Sequence, residues 1–195
     1  PDQTIIAATA AVREAEDGQA FCDRVAAETG LKVRVLSGPE EARYAALGVV
    51  AGSPRADGVA ADMGGASLEL IRIENGAPGQ GVTLPLGPFA LTDPQGFDAD
   101  RLRKRIDKRL KPEATAFAHP TLYGGGGAWR SLAQFHMVLG AYPLRIVHQY
   151  AMSAADAREA AQLRARQSRG SLESIDGVSK KRAETHAFLD WLLTP

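Results

Sequence analysis

Cysteine is almost missing from this chain, and its scarcity excludes the small, disulfide-stapled secreted folds. The single thiol, Cys22, has no partner for an internal disulfide, which fits a reducing, cytoplasmic setting and a thiol packed on a helix. An excess of either charge is missing as well. Lys plus Arg and Asp plus Glu each number 23, so no global field advertises DNA or a membrane surface, and any polyanion must be held by local groups. No apolar run approaches the ~18 residues of a membrane span, and no signal peptide opens the chain. The histidines, His119, His136, His148 and His186, lack the close helical spacing of a zinc site. Repeats and low-complexity tracts are absent. What is present, 195 residues with 45% hydrophobic content, suffices for a sizeable core in one large domain or two small ones. The chain begins at Pro1 without a methionine, which points to a fragment.

The first quarter alternates strand and helix. Residues 4 to 10, TIIAATA, suit a buried strand. Phe21, Val25 and Ala26 recur at helical spacing up to Thr29, and Gly30 stands where a helix-ending glycine belongs. KVRVLS, 32 to 37, alternates as a strand does. Ser37 and Glu40 then have the spacing of a capping box, with Pro39 in the first turn of a new helix. Strand–helix–strand–helix over 4 to 51 favours parallel pairing. AGSPRADG, 51 to 58, has the composition of a linker.

Beyond it the pattern changes to a meander. GVAAD predicts a strand, GGA a turn, SLELIRIE a second strand, Asn75-Gly76 a hairpin turn and QGVTLPLG a third strand. DADRLRKRIDKRL, 98 to 110, sets Leu102, Ile106 and Leu110 on one helical stripe. TLY, GGGG and AWRSLAQFHMVL predict a strand, a glycine loop and a helix. Ser153 and Asp156 form a capping box for a further helix, and Ala183, Ala187 and Trp191 stripe the last one.

Several residues are candidates for chemistry. In ADMGGASLEL, 61 to 70, Gly64 and Gly65 form either a plain turn with Asp62 and Glu69 solvated beside it, or a hairpin whose amides hold a phosphate while the carboxylates manage a metal ion and a water. Gly124 to Gly127 join a strand to a helix, where backbone amides approach an anion closely, though a plain turn is the competing reading. No Walker or dinucleotide fingerprint fits there. Glu40 is accounted for by its capping box. Glu41 has no such duty, and a first-turn carboxylate can orient a water or bind Mg²⁺. The cations Arg101, Arg103, Lys104, Arg105, Lys108, Arg109 and Lys111 share their helix with only Asp100 and Asp107. They form a solvated face or a track for a polyanion.

ATAAVREA (8 to 15), VLSGPEEARYAALGVV (35 to 50) and VAADMGGASLEL (59 to 70), in this order, resemble the exopolyphosphatase/guanosine pentaphosphate phosphohydrolase (Ppx/GppA phosphatase) family. YGGGGAWRSLA (123 to 133) and GVSKKRAET (177 to 185) fit its later segments. The resemblance implies an α/β, actin-like ATPase (ribonuclease H-like) fold, with residues 1 to 52 as the C-terminal part of domain I and 53 to 195 as most of domain II. It implies a hydrolase that removes terminal phosphate from polyphosphate or pppGpp with an activated water and Mg²⁺, and so a place in the stringent response. Glu41 falls on the proposed base, with Glu69 also catalytic. Asp62 and Glu69 fall on the metal positions. Arg13, Gly64, Gly65, Ser67 and Gly124, Gly125, Gly126 and Gly127 fall on phosphate contacts.

The chain also departs from the family. Ala66 stands where the family has a third glycine, which predicts a slightly displaced hairpin, and Leu68 replaces threonine. The first domain's own phosphate hairpin and the last strand of the second are not in the sequence. That predicts weak activity for the isolated chain and an exposed strand edge open to pairing as a homodimer. Two other functions compete: an actin-like ATP-dependent kinase, and a non-catalytic sensor of polyphosphate or alarmone. The kinase leaves the second glutamate of SGPEEAR without a job, and a pure binder gains nothing from carboxylates beside a polyanion.

Overall fold

In the computed structural model, residues 4–91 and 98–167 are described. The expected strand at 4 to 10 is shorter than predicted. β1 (Ile6–Ala8) stops because Thr9 turns its carbonyl to the amides of Val12 and Arg13, both at 3.0 Å, and opens the single-turn helix α1 (Ala10–Arg13). A four-residue helix shows no period in a sequence, so nothing announced it. α2 (Gly18–Thr29) follows and ends at Gly30, whose φ of 73° is the left-handed conformation that glycine adopts without strain. β2 (Val33–Val35) pairs in parallel with β1, Ile6 opposite Val33.

α3 (Gly38–Gly52) begins in the capping box: the Glu40 amide donates to Ser37 Oγ while the Ser37 amide donates to Glu40 Oε2. The helix consumes Ala51 and Gly52, and β3 (Gly58–Met63) takes Gly58, so the expected linker shrinks to 53–57. β4 (Leu68–Glu74) and β5 (Ala77–Leu84) complete the antiparallel meander through Asn75 and Gly76, both at positive φ as a tight hairpin turn requires. β5 starts three residues earlier than its apolar run suggested, since Ala77 pairs at once with Glu74. α4 (Pro88–Leu91) is a second single-turn helix without a sequence signal. Beyond it lie α5 (Ala99–Ala114), β6 (Leu122–Gly125), α6 (Gly126–Leu139) and α7 (Ala154–Ala165), the last with its Ser153–Asp156 capping box formed. The helix expected around Ala183 to Trp191, and the segment 177 to 185, lie outside the described residues.

The four-stranded sheet has the order β5-β4-β3-β6, with β6 parallel to β3. Successive side chains of a strand point to opposite faces, and here the two faces have different coverings. Val59, Ala61, Met63, Leu68 and Leu70 pack with the predicted stripe Leu102, Ile106 and Leu110 and with Leu132, Phe135 and Ala160. Ala60, Ile71 and Ile73 pack on the other side against Ala42 and Ala46 of α3. Asp62 and Glu69 belong by alternation to this second face. No helix among the described residues is long and apolar enough to cross a membrane.

Candidate active site

Asp62 and Glu69 stand directly opposite each other in the β3–β4 register. Side chains so paired share a face with Cβ atoms roughly 4.5–5.5 Å apart, and two like charges at that spacing repel. Glu69 is 1% exposed, and among the described residues neither of its carboxylate oxygens has a hydrogen-bond partner. Burial pushes its pKa up to about 7. The buried Ser67 hydroxyl opposes the rise without closing a well-formed hydrogen bond, Glu41 and Asp62 add to it, and Arg13 opposes it. Asp62 is likewise raised, first by burial and then by Glu41, with Arg130 pulling the other way. Glu41, Asp62 and Glu69 therefore act on one another, with the guanidinium groups of Arg13 and Arg130 opposing them.

Glu41 enters from the first turn of α3, where its amide donates to the Ser37 carbonyl. Its Oε2 accepts from Arg13 Nη1 at 3.0 Å, and the same nitrogen donates to the Leu36 carbonyl at 2.8 Å. Arg13, at the end of α1, thus ties the first strand–helix segment to the start of α3, the helix that packs on the second face of the sheet. Glu40, one residue earlier, is committed elsewhere. Hydrogen bonds from the Ser37 backbone and hydroxyl, and then from Arg34, hold its carboxyl down at about 2.

The turn from Gly64 to Ser67 closes with the Gly64 amide donating to the Ser67 carbonyl at 2.9 Å. Carbonyls of Gly65 and Ala66 accept from the amides of Phe89 (2.8 Å) and Gly87 (3.0 Å). The amides of Gly65 and Ala66 have no backbone acceptor among the described residues. No residue of this turn has positive φ, so alanine at 66 is unstrained there, and the displacement expected from the missing glycine has no conformational cause.

The four consecutive glycines do not act as one loop. Gly124 and Gly125 end β6 opposite Ala61 and Asp62. A Cβ at Gly124 would meet the Trp129 ring at 2.8 Å, so this position serves packing. Gly126 and Gly127 open α6. Gly126 has φ of 86°, and a Cβ there would lie 2.3 Å from the Met63 carbonyl oxygen and 2.7 Å from Asp62 Oδ1. Only glycine allows the helix start to press so closely on β3 and on the Asp62 carboxylate. No motif singled out Arg130, although it lies four residues along α6 from Gly126.

The fit of a metal ion turns on Asp62 and Glu69. Among the described residues, no three His, Cys, Asp or Glu side chains form a group that could hold one. Mg²⁺, however, uses one or two carboxylates together with substrate phosphates. The unpartnered Glu69 oxygens opposite Asp62 fit that requirement.

The model of the Ppx/GppA phosphatase family matches residues 1–187. Exopolyphosphatase 1 of Mycobacterium leprae is 39% identical over 87 residues, which cover 44% of this chain and 26% of that protein. The crystal structure of the Aquifex aeolicus Ppx/GppA family member superposes with a TM-score of 0.75 at 25% identity, covering 97% of this chain. An exopolyphosphatase from Cytophaga hutchinsonii gives 0.81 at 23% identity, again over 97% of the chain. This chain spans 64% and 65% of the lengths of those two proteins.

Proposed function

The chain belongs to the Ppx/GppA phosphatase family, with its actin-like α/β fold, and on that premise we propose that the protein removes terminal phosphate from inorganic polyphosphate, pppGpp or both by attack of a water. The observation that carries this reading is the buried, unpartnered Glu69 facing Asp62 beside Glu41. Three coupled carboxylates cost stability unless a cation or an incoming ligand makes use of them.

Each residue has a part. Glu41 orients the water and accepts its proton. Arg13 holds Glu41 in position, and an arriving phosphate competes for the same guanidinium, freeing the carboxylate oxygen. The amides of Gly65 and Ala66, the Ser67 hydroxyl and the start of α6 at Gly126 and Gly127 hold phosphate oxygens. Gly124 and Gly125 shape the strand that brings α6 there. Asp62 and Glu69 would hold Mg²⁺, which when bound supplies positive charge to the phosphate oxygens.

On the same premise the chain divides at 52/53 into part of domain I and most of domain II, and the protein is cytoplasmic and able to form a homodimer. Phosphate release from polyphosphate and from pppGpp by the full-length protein tests the reading. Release from at least one, abolished in Glu69→Gln, is the expected outcome. Release from neither overturns it and favours a sensor that only binds.

A further inference from the structure

Arg130 stands on α6, one turn after Gly126. Its position follows from helix geometry. A Cβ at Gly126 would lie 2.7 Å from Asp62 Oδ1, so the side of α6 that carries residue 126 faces the Asp62 carboxylate. Residue 130 is one turn further along that same side, and helical side chains tilt back toward the N-terminus. A long side chain at 130 therefore returns over the glycine turn toward the carboxylates. The opposite side of α6 is used for packing, through Ala128, Leu132 and Phe135.

The surroundings leave Arg130 available. It is exposed, and it makes no hydrogen bond or ion pair with the described residues. Its charge nonetheless acts on Asp62. Arg13, the other cation, is occupied by Glu41 and the Leu36 carbonyl. Three carboxylates and one occupied guanidinium form a poor receptor for a polyanion, and Arg130 is the cation that corrects this.

We infer that Arg130 is a phosphate-binding residue of this cleft, gripping the substrate's phosphates from α6 while Arg13 grips from the α1 side. A guanidinium donates two parallel hydrogen bonds to a phosphate, which an ammonium cannot reproduce. This rests on the phosphohydrolase reading and extends it: the substrate must present at least two phosphates, one at the water and one within reach of α6.

Steady-state kinetics of the full-length protein and of Arg130→Met and Arg130→Lys, on polyphosphate over a range of salt, test the inference. Thermal melting serves as the folding control, and an exposed, unpaired side chain is expected to leave it unchanged. Arg130→Met is expected to raise KM by about 10- to 100-fold with a much smaller change in kcat, and to flatten the salt dependence of KM. Arg130→Lys is expected to recover the salt dependence but only part of the KM. A KM and salt slope unchanged in Arg130→Met overturn the proposal while leaving the hydrolase reading standing. Calorimetric titration with tripolyphosphate separates the two claims. If the wild type releases no phosphate but binds tripolyphosphate in an Arg130-dependent way, the inference holds and the catalytic reading falls. Neither release nor binding overturns both.

Discussion

The two faces of the four-stranded sheet are made from the same residues of β3 and β4 taken alternately, yet they differ in kind. On one, Leu68 and Leu70 interlock with α5 and α6 in an apolar core. On the other, Ala60 and Ile71 meet α3 through small side chains, and the row ends in Asp62 and Glu69. The first face contributes burial energy. The second gives some of it up, because an unpartnered carboxylate in a buried place opposes folding. Period-two alternation thus lets a seven-residue strand serve the core and the candidate site at once. A single-residue register slip would exchange the two roles.

If the second face exists for chemistry, Glu41→Gln should lower turnover of the full-length protein by about 10²- to 10⁴-fold with little change in KM. Its melting temperature should stay near that of the wild type. Near-normal turnover would break the comparison at its functional side. The apolar face should respond in the opposite sense. Leu68 is fully buried, and Leu68→Ala should cost about 2–5 kcal/mol in denaturant unfolding. A cost below about 1 kcal/mol would mean that the core closes without it.

Glu69 sharpens the contrast through pH. Its folded pKa of about 7 lies above the unfolded value near 4.5, so between those values the native state binds more protons than the unfolded one. Stability therefore falls as pH rises through that window. Glu69→Gln should flatten this slope and, in buffer without divalent cation, stabilise the fold near pH 8 by about 1–3 kcal/mol while abolishing activity. Some slope should persist, because Asp62 is raised as well. An unchanged pH profile of unfolding would show that Glu69 has a partner after all.

Much of the fold was legible because its signals are local. Ser37 with Glu40, Asn75 with Gly76 and Gly30 after Thr29 each need only a few residues to act, and each formed as the spacing predicted. α1 and α4 were not legible, since one helical turn has no periodicity to detect. The candidate residues Glu41, Asp62 and Glu69 stood out by motif and resemblance. The burial of Glu69 depends on α3 closing over the second face, which no local pattern encodes. Arg130 was missed for a related reason: an arginine on an exposed helix position has no local signature, and its meaning comes from Gly126 pressing on Asp62. The basic helix α5 offered two readings, solvated face or polyanion track, and two of its cations follow neither.

Those two are Arg105 and Arg109. Arg105 donates to the carbonyls of Leu91 and Ala90, both at 3.0 Å, and Arg109 donates to that of Pro85. The segment so held is the one whose Gly87 and Phe89 amides fasten the Gly65–Ala66 turn. A guanidinium on the apolar face therefore helps to position the glycine hairpin, through the segment 87–91. Methionine in place of Arg105 keeps most of the side-chain volume and removes the donors. Arg105→Met should lower kcat/KM by about 3- to 10-fold and stability by about 1 kcal/mol, since each bond is charge-assisted but half-exposed. Arg105→Lys should recover only part, because one ammonium cannot span both carbonyls in the same plane. Activity lost in proportion to stability in both variants would assign Arg105 to the core alone. Activity lost while melting is restored in Arg105→Lys would tie the two faces of the sheet together through this arginine.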